Sequence, residues 1–186
     1  MNLPPTISLV PLSLEWHIDA LQQVYWATPG YWAMYNFPAV PAGQAEHDLR
    51  TATTMPGRTL LGIVQRLAVP DQALAASDTT PPAAHGELIG LLDFRLHWPA
   101  EHVVSIGMLM VAEPYQRQGI ATQAWMLLLP WLTQQAQMQK AQVTVEQFNP
   151  TALKFFESVG FVMSGESNRI KVGDKFVRLL SMQMPL

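Results

Sequence analysis

The segment 103–122 restricts the possible folds of this chain more than any other part of it. Its first nine residues, Val103–Val111, form an almost unbroken apolar run of strand length, which is typical of a strand covered on both faces. A turn follows at once, with glycine at position 119, and a helix is predicted from about Ile120. Such a strand needs neighbouring strands to complete a sheet, so the segment indicates a domain of the α/β or α+β class.

Hydrophobic periodicity and turn residues place further elements around this segment. Strands are predicted over 6–11, 59–67, 87–98, 141–146, 161–164 and 175–184. Helices are predicted over 14–26, 42–53, 120–137 and 150–158. Proline removes a backbone donor and clashes with the carbonyl four residues earlier, so Pro130 predicts a kink or early break in the third helix.

Length and composition favour a single globular domain over 1–186. A chain of 186 residues fits one domain, and its apolar share of 49% is enough for one core. The stretch 69–85 is rich in alanine, proline, aspartate and threonine, which predicts a flexible loop inside this domain rather than a domain boundary.

Charge and cysteine content argue against several classes of function. The formal net charge is −3 and lysines and arginines do not cluster, so nucleic acid is not expected as a partner. The absence of cysteine excludes disulfides, thiolate metal sites and a cysteine nucleophile, and no metal is expected. The apolar runs are too short to span a membrane, and without a visible secretory signal the expected location is the cytoplasm.

The turn between the buried strand and its helix carries the chemistry. In Gln116-Arg117-Gln118-Gly119-Ile120-Ala121, successive backbone N–H groups at the helix start have no partner within the helix. Such a terminus attracts anions, and the small residues Gly119 and Ala121 would let a diphosphate approach the main chain. Taken alone, a glycine that merely eases a strand-to-helix turn explains the hexapeptide equally well.

The wider segment 106–121 resembles the acetyl-CoA signature of the GCN5-related N-acetyltransferases. In that family a strand ending in L-x-V leads, through a turn with proline and often an aromatic residue, into [RQ]-x-x-G-x-[GA]. The matching positions here are Leu109, Val111, Tyr115, Gln116, Gly119 and Ala121, with Pro114 shifted by one.

A second block resembles another recurring element of the family, N-x-x-A-x-x-[FL]-Y-E-x-x-G-F. Its matching residues are Asn149, Ala152, Phe155, Phe156, Glu157, Gly160 and Phe161. The two blocks are separated by enough chain for one helix and one strand, the crossover that a parallel strand pair requires. The resemblance implies the family's fold, a mixed, mostly antiparallel twisted sheet of six or seven strands flanked by helices.

The resemblance also implies which residues bind acetyl-CoA. Backbone N–H groups of 118–122 would hold the pyrophosphate, and the strand end at 109–111 would pair with the pantetheine arm. A main-chain N–H near Leu109 or Met110 would face the thioester oxygen as a catalytic donor. Asn149 would contact the pantetheine or position the acceptor, or would only cap a helix. The implied cofactor-binding residues are Leu109, Met110, Val111, Gln116, Arg117, Gln118, Gly119, Ile120, Ala121, Thr122, Asn149, Phe155 and Phe156.

The catalytic acid and base are less well defined by the resemblance. Phe156 stands where family members commonly have a tyrosine that protonates the departing CoA thiolate. Ser105 stands where some members have a glutamate base on the central strand. Glu146 ends the strand before Asn149, which the resemblance places near the reacting end of the cofactor, and it is the first candidate for the general base. Lesser candidates are His102, Asp93 and Glu101.

The implied function is transfer of an acetyl group from acetyl-CoA to a primary amine of a small molecule or a protein N-terminus, by direct attack.

The segment 26–37 contains a group of five aromatic residues. This aromatic group would suit an apolar or cationic acceptor, and core packing or a dimer contact explains it equally well. Its residues are Trp26, Tyr31, Trp32, Tyr35 and Phe37. Exposed aromatics and methionines are compatible with a homodimer. The alternatives are a non-catalytic acyl-CoA-binding module of the same fold and an unrelated phosphate-binding α/β domain.

Overall fold

The residues that the structure describes form a mixed sheet of seven strands, with helices on both of its faces. The structure is a computed structural model, and it describes residues 6–35, 37–66, 86–172 and 175–186. The strands are β1 (Ile7–Pro11), β2 (Arg58–Arg66), β3 (Gly86–Leu96), β4 (Val103–Val111), β5 (Lys140–Glu146), β6 (Val162–Val172) and β7 (Lys175–Pro185). The helices are α1 (Ile18–Trp26), α2 (Pro29–Met34), α3 (Gln44–Thr54), α4 (Ile120–Pro130) and α5 (Pro150–Ser158).

The strand order is β1-β2-β3-β4-β5-β7-β6, and only the β4–β5 pair is parallel. Helix α4 provides the crossover between these two strands, as parallel pairing requires. This architecture confirms the predicted α+β class, with a mostly antiparallel sheet of seven strands.

Each face of the sheet is covered by its own hydrophobic cluster. The larger cluster lies under α4 and α5 and includes Trp125 and Phe161. The smaller cluster lies under α1, α2 and α3 and includes Leu21 and Leu49. Strand β4 contributes side chains to both clusters, which accounts for its apolar sequence.

Strands β4 and β5 pair along only part of their length. Pairing runs from Val103 opposite Lys140 to Ile106 opposite Val143, and it ends there. The register between β3 and β4 shifts at the next residue, Gly107, so β4 bulges where it leaves β5. The result is an opening in the sheet beside the second half of β4.

The structure differs from the sequence-based prediction in three elements. Helix α2 was not predicted, although Pro29 occupies its first turn, where proline is favoured. Helix α4 continues through Pro130 into a π-helical turn, Trp131–Gln135, so the irregularity follows the proline rather than preceding it. Strand β6 extends well beyond the predicted 161–164.

Two further predictions concerned a loop and membrane-spanning segments. The predicted loop 69–85 lies outside the described residues. Among the helices that the structure describes, none has both the length and the apolar character needed to cross a membrane.

Candidate functional site

A cavity of about 950 Å³ lies where β4 separates from β5. Its walls are the second half of β4, the turn before α4, the first turns of α4 and α5, and helix α2. All of the predicted site residues line it except Gln118 and Glu146. The fold therefore brings together two sequence blocks that are about 30 residues apart in the chain.

The start of α4 presents unpaired backbone donors to this cavity. The first hydrogen bond to the helix start runs from Gln123 N–H to Gly119 O, at 2.9 Å. Within the described part of the chain, the backbone N–H groups of residues 117–122 donate to no residue outside the helix. The helix itself offers no carbonyl acceptor to these N–H groups. Consecutive free donors at a helix N-terminus attract a phosphate group.

Gly119 is favoured by its backbone conformation, and it borders open space. Its φ is +77°, in the left-handed region that disfavours residues with a Cβ. A Cβ added there would have no atom within 4 Å, so glycine leaves this side of the cradle open to a ligand. The turn therefore leaves open space beside the unpaired N–H groups at the start of α4.

Two glutamines brace the turn from within. The Gln116 side-chain amide donates to Val111 O at 2.8 Å, and the Gln118 amide donates to Pro114 O at 3.1 Å. Both side chains therefore stabilise the shape of the turn. The backbone N–H of Gln116 donates to Glu113 O at 3.2 Å, whereas among the described residues the backbone N–H of Gln118 has no acceptor.

Strand β4 turns alternate backbone groups toward the opening. Ala112 N–H bonds Ile89 O on β3, and Met110 O lies against Gly90 of the same strand. The carbonyl of Val111, in contrast, is on the opposite edge, where Gln116 binds it. Because strand residues alternate, the N–H groups of Leu109 and Val111 face the opening, and that of Met110 faces β3.

Asn149 caps helix α5 at the other side of the cavity. Its side-chain oxygen accepts from Ala152 N–H at 3.1 Å, and Pro150 occupies the first helical position. The cap uses the carbonyl oxygen of the side chain. The amide NH₂ of Asn149 remains available to donate into the cavity, which this residue lines.

Phe156 closes the floor of the cavity as a packed hydrophobic residue. It is 6% exposed, and its ring contacts those of Phe155 and Phe161 with edge-on geometry at 5.1 and 5.2 Å between centroids. A phenyl ring has no proton to donate. A general acid at this position is therefore absent.

Glu146, the candidate base, ends strand β5 behind the cavity wall. Its carboxylate accepts a hydrogen bond from the Tyr35 hydroxyl. The ring of Tyr35 packs edge-on against the ring of Tyr31, which lines the cavity, with 5.3 Å between the ring centroids. Burial is the main cause that raises the pKa of Tyr31 to about 12, and burial together with Glu146 raises the pKa of Tyr35. Both hydroxyls therefore stay protonated at neutral pH.

The other candidate bases are engaged or remote. Asp93 is buried on the α3 side of the sheet and pairs with Arg58, whose Nη2 lies 2.6 Å from its carboxylate. Burial raises the pKa of Asp93, against the opposing effect of Arg58. Glu101 and His102 lie just before β4 begins, at the end of the strand remote from the cavity.

Some lining residues carry no signal in the sequence blocks. Lys154 on α5 and Glu113 after β4 both border the cavity. The Glu113 carboxylate accepts from Gly30 N–H at 2.8 Å, and its own N–H donates to Ala27 O, which ties α2 to the turn. These contacts join segments more than 80 residues apart, so no local pattern could have predicted them.

The aromatic group divides into three environments. Tyr31 lines the cavity and Tyr35 lies behind it. Trp32 is buried and donates to Tyr25 O. Trp26 and Phe37 are exposed and do not line the cavity.

Comparison with known families agrees with this geometry. The family model described as "Acetyltransferase (GNAT) family" matches residues 58–161. The chain belongs to the GNAT acetyltransferases. The match begins at the start of β2 and includes the whole of β4, the turn and α5, so both blocks noted in the sequence lie inside it. No curated protein shows significant sequence similarity to this GNAT chain.

Solved structures share the fold at low sequence identity. An acetyltransferase from Thermus thermophilus is 22% identical, with a TM-score of 0.70 and full coverage of both chains. A probable GNAT acetyltransferase from Chromobacterium violaceum is 19% identical, with a TM-score of 0.73 over 96% of this chain and 82% of the other. Spermidine N-acetyltransferase from Vibrio cholerae, solved with CoA and spermine, is 14% identical, with a TM-score of 0.66 over 96% and 95%.

Proposed function

We propose that this GNAT protein transfers an acetyl group from acetyl-CoA to a primary amine, by direct attack of the amine on the thioester. The observation that carries the proposal is the row of unpaired N–H groups at the start of α4, which faces a cavity large enough for a cosubstrate. The acceptor would be a small molecule or a protein N-terminus.

Acetyl-CoA would bind along the cavity from the turn to the opening in the sheet. The N–H groups of 118–122 would hold the pyrophosphate, and the cations of Arg117 and Lys154, which also line the cavity, would add attraction for its charges. The Leu109 and Val111 backbone groups that face the opening would pair with the pantetheine arm. The Asn149 amide would donate to the same arm.

The Leu109 N–H is the proposed donor to the thioester oxygen. Attack by the amine places negative charge on this oxygen, and a fixed donor stabilises that charge without reorganisation. Strand alternation favours Leu109 over Met110 for this role, because the Met110 N–H is directed toward β3.

The acceptor side favours a cationic amine. Tyr31 presents a ring to the cavity, and the charges of Glu146, Asp48 and Asp93 all act on its hydroxyl. Arg58 offsets part of this charge, but three carboxylates outnumber one guanidinium. An ammonium group would be attracted here by the carboxylates and by the aromatic face.

A binding module without turnover is the second candidate, and Phe156 favours it. Replacing the usual acid with a phenyl ring removes a proton donor, whose contribution in other enzymes is about 10²- to 10⁴-fold. The CoA thiolate can instead take its proton from water or from the attacking nitrogen, so the loss does not exclude turnover.

Release of CoA thiol distinguishes the two candidates. The protein contains no cysteine, so a thiol reagent reports CoA alone. Acetyl-CoA would be incubated with 1,4-diaminobutane, 2-phenylethylamine and a tripeptide with a free N-terminus, and CoA binding measured in parallel by calorimetry. Thiol release above the protein-free rate supports the transferase. Binding of CoA with no release supports the module, and failure to bind CoA contradicts both.

A further inference from the structure

On the α3 side of the sheet, two carboxylates share one guanidinium. Arg58 Nη2 lies 2.6 Å from the Asp93 carboxylate and 3.2 Å from that of Asp48, and all three side chains are largely buried. Among the residues that the structure describes, no second cation lies within ion-pairing distance of either aspartate. Buried charges are normally paired, so this group would be stabilised by one further cation.

Of the two carboxylates, Asp93 has the greater unused capacity to accept hydrogen bonds. Asp48 accepts from the Tyr25 hydroxyl at 2.8 Å, from the Gln44 amide at 3.0 Å and from Arg58 at 3.2 Å. Asp93 accepts from Arg58 alone among the described side chains. Because an ionised carboxylate offers about four lone-pair sites, Asp93 can accept from a further donor.

Gly107 leaves open space against this carboxylate. A Cβ added at Gly107 would have three atoms of Asp93 as its nearest neighbours, with the carboxyl carbon at 3.6 Å and Oδ2 at 3.7 Å. Gly107 is itself exposed. A small donor that lies over Gly107 can therefore reach Asp93 from solvent.

The same space lies beside the proposed thioester position. Gly107 is the extra residue of the bulge in β4, at the point where β4 leaves β5. Leu109, whose N–H is the proposed donor to the thioester oxygen, follows about 7 Å further along the strand. A general base acts on an amine at such a distance directly or through one water. On the basis of the transferase function proposed above, we infer that Asp93 binds the acceptor ammonium over Gly107 and accepts one of its protons.

The proton balance of the step is complete. One ammonium proton moves to the Asp93 carboxylate, and the free amine forms the C–N bond with the thioester carbon. When the C–S bond breaks, the CoA thiolate takes a second proton from the attacking nitrogen. Asp93 then returns its proton to water.

The surroundings of Asp93 suit a residue that gains and loses a proton. Burial raises the pKa of Asp93, so the carboxylate takes a proton more readily than an exposed aspartate does. Arg58 opposes this effect and favours the ionised form that a base needs. The carboxylate of Glu146, in contrast, already accepts a hydrogen bond from the Tyr35 hydroxyl.

Gly107→Ala tests the position of the amine without removing any charge. The φ of Gly107 is outside the left-handed region, and the added methyl group would be at ordinary contact distance from Asp93, so Tm and CoA affinity should stay the same. The methyl group would occupy the space proposed for the ammonium. We expect kcat/KM for the amine to fall by about 10- to 100-fold. An unchanged kcat/KM would overturn the inference.

Asp93→Asn tests the proton transfer, with whichever amine of the panel is turned over. We expect kcat at pH 7 to fall by about 100-fold or more. Only the unprotonated amine would then react, so kcat/KM should rise about tenfold per pH unit toward the pKa of the amine. A purely structural defect would lower the rate equally at every pH.

Two further variants serve as comparisons for the pH profile. Asp48→Asn removes an equal charge from the same guanidinium but keeps Asp93, so its profile should have the wild-type shape. Glu146→Gln removes the competing candidate base. A pH profile that changes in Glu146→Gln and not in Asp93→Asn would assign the base to Glu146 and overturn the inference.

Binding of the amine can be measured without turnover. In protein labelled with ¹³C-aspartate, the carboxyl signal of Asp93, assigned by its loss in Asp93→Asn, should shift when 1,4-diaminobutane is added to the CoA complex, and should not shift in Gly107→Ala. If the signal shifts and no amine on the panel is turned over, the transferase proposal fails, and the proton transfer fails with it. If an amine is turned over and Asp93→Asn keeps the wild-type kcat, the inference alone is wrong and the transferase proposal stands.

Discussion

Substitution of Gly119 by alanine tests the anion cradle directly, because the protein contains a matched control. Gly119 and Gly43 both precede a helix, with φ/ψ of +77°/5° and +80°/8°, and a Cβ added at either would have no atom within 4 Å. Gly119 lines the cavity and Gly43 does not. The two alanine variants therefore share the same backbone strain and differ only in their position relative to the proposed ligand.

The expected stability loss is equal in the two variants. A left-handed conformation costs a residue with a Cβ about 1–2 kcal/mol, which for a domain of this size lowers Tm by roughly 2–4 °C per kcal/mol. The expected loss of CoA affinity is not equal. A methyl group at 119 stands beside the free N–H groups, and the loss of one charge-assisted hydrogen bond, about 1.5–3 kcal/mol, weakens binding by about 10- to 100-fold.

Scanning calorimetry would give the Tm of each variant, and titration calorimetry would give the affinity of each variant for CoA. Gly43→Ala should bind CoA as the wild type does. If Gly119→Ala binds CoA as tightly as Gly43→Ala, no phosphate approaches this turn and the proposed cofactor site is wrong.

Three further predictions follow from other parts of the structure. Arg58→Ala should destabilise the fold by about 3–5 kcal/mol in denaturant unfolding, because it leaves the buried Asp93 and the half-buried Asp48 without their shared cation. Arg50→Ala, which breaks an exposed pair with Glu46, should cost under about 1 kcal/mol, and similar losses in the two variants would contradict this assignment. Asn149→Asp should keep the α5 cap and the Tm but lower kcat/KM by about tenfold, because it removes only the NH₂ donor; unchanged kinetics would leave Asn149 as a helix cap alone. In an absorbance titration of the folded protein, no more than one of the four tyrosines should be ionised at about pH 10.5, because the pKa of Tyr25, Tyr31 and Tyr35 is raised. The stability that the Tyr31 hydroxyl contributes is present below pH 10 and is lost as the pH rises toward about 12.

The sequence alone was sufficient for the fold class and for the position of the turn between β4 and α4. The apolar run of β4 and the glycine turn are local features, since they depend on burial and on backbone conformation within a few residues. The order of the two blocks then predicted a parallel strand pair, which β4 and β5 form. Helix α2 was missed because its six residues, which begin with proline and glycine, have no clear helical period.

Only the tertiary structure decided which side chains meet around the cavity. The sequence determined that Glu146 ends a strand and that Tyr31 and Tyr35 lie in an aromatic segment, but 111 residues separate Tyr35 from Glu146. Their contact depends on how α2 packs across the opening between β4 and β5, and on the hydrogen bond from Gly30 N–H to the Glu113 carboxylate that holds α2 there. Local propensity determines elements within a few residues, whereas contacts between distant segments depend on the packing of the whole sheet and its helices.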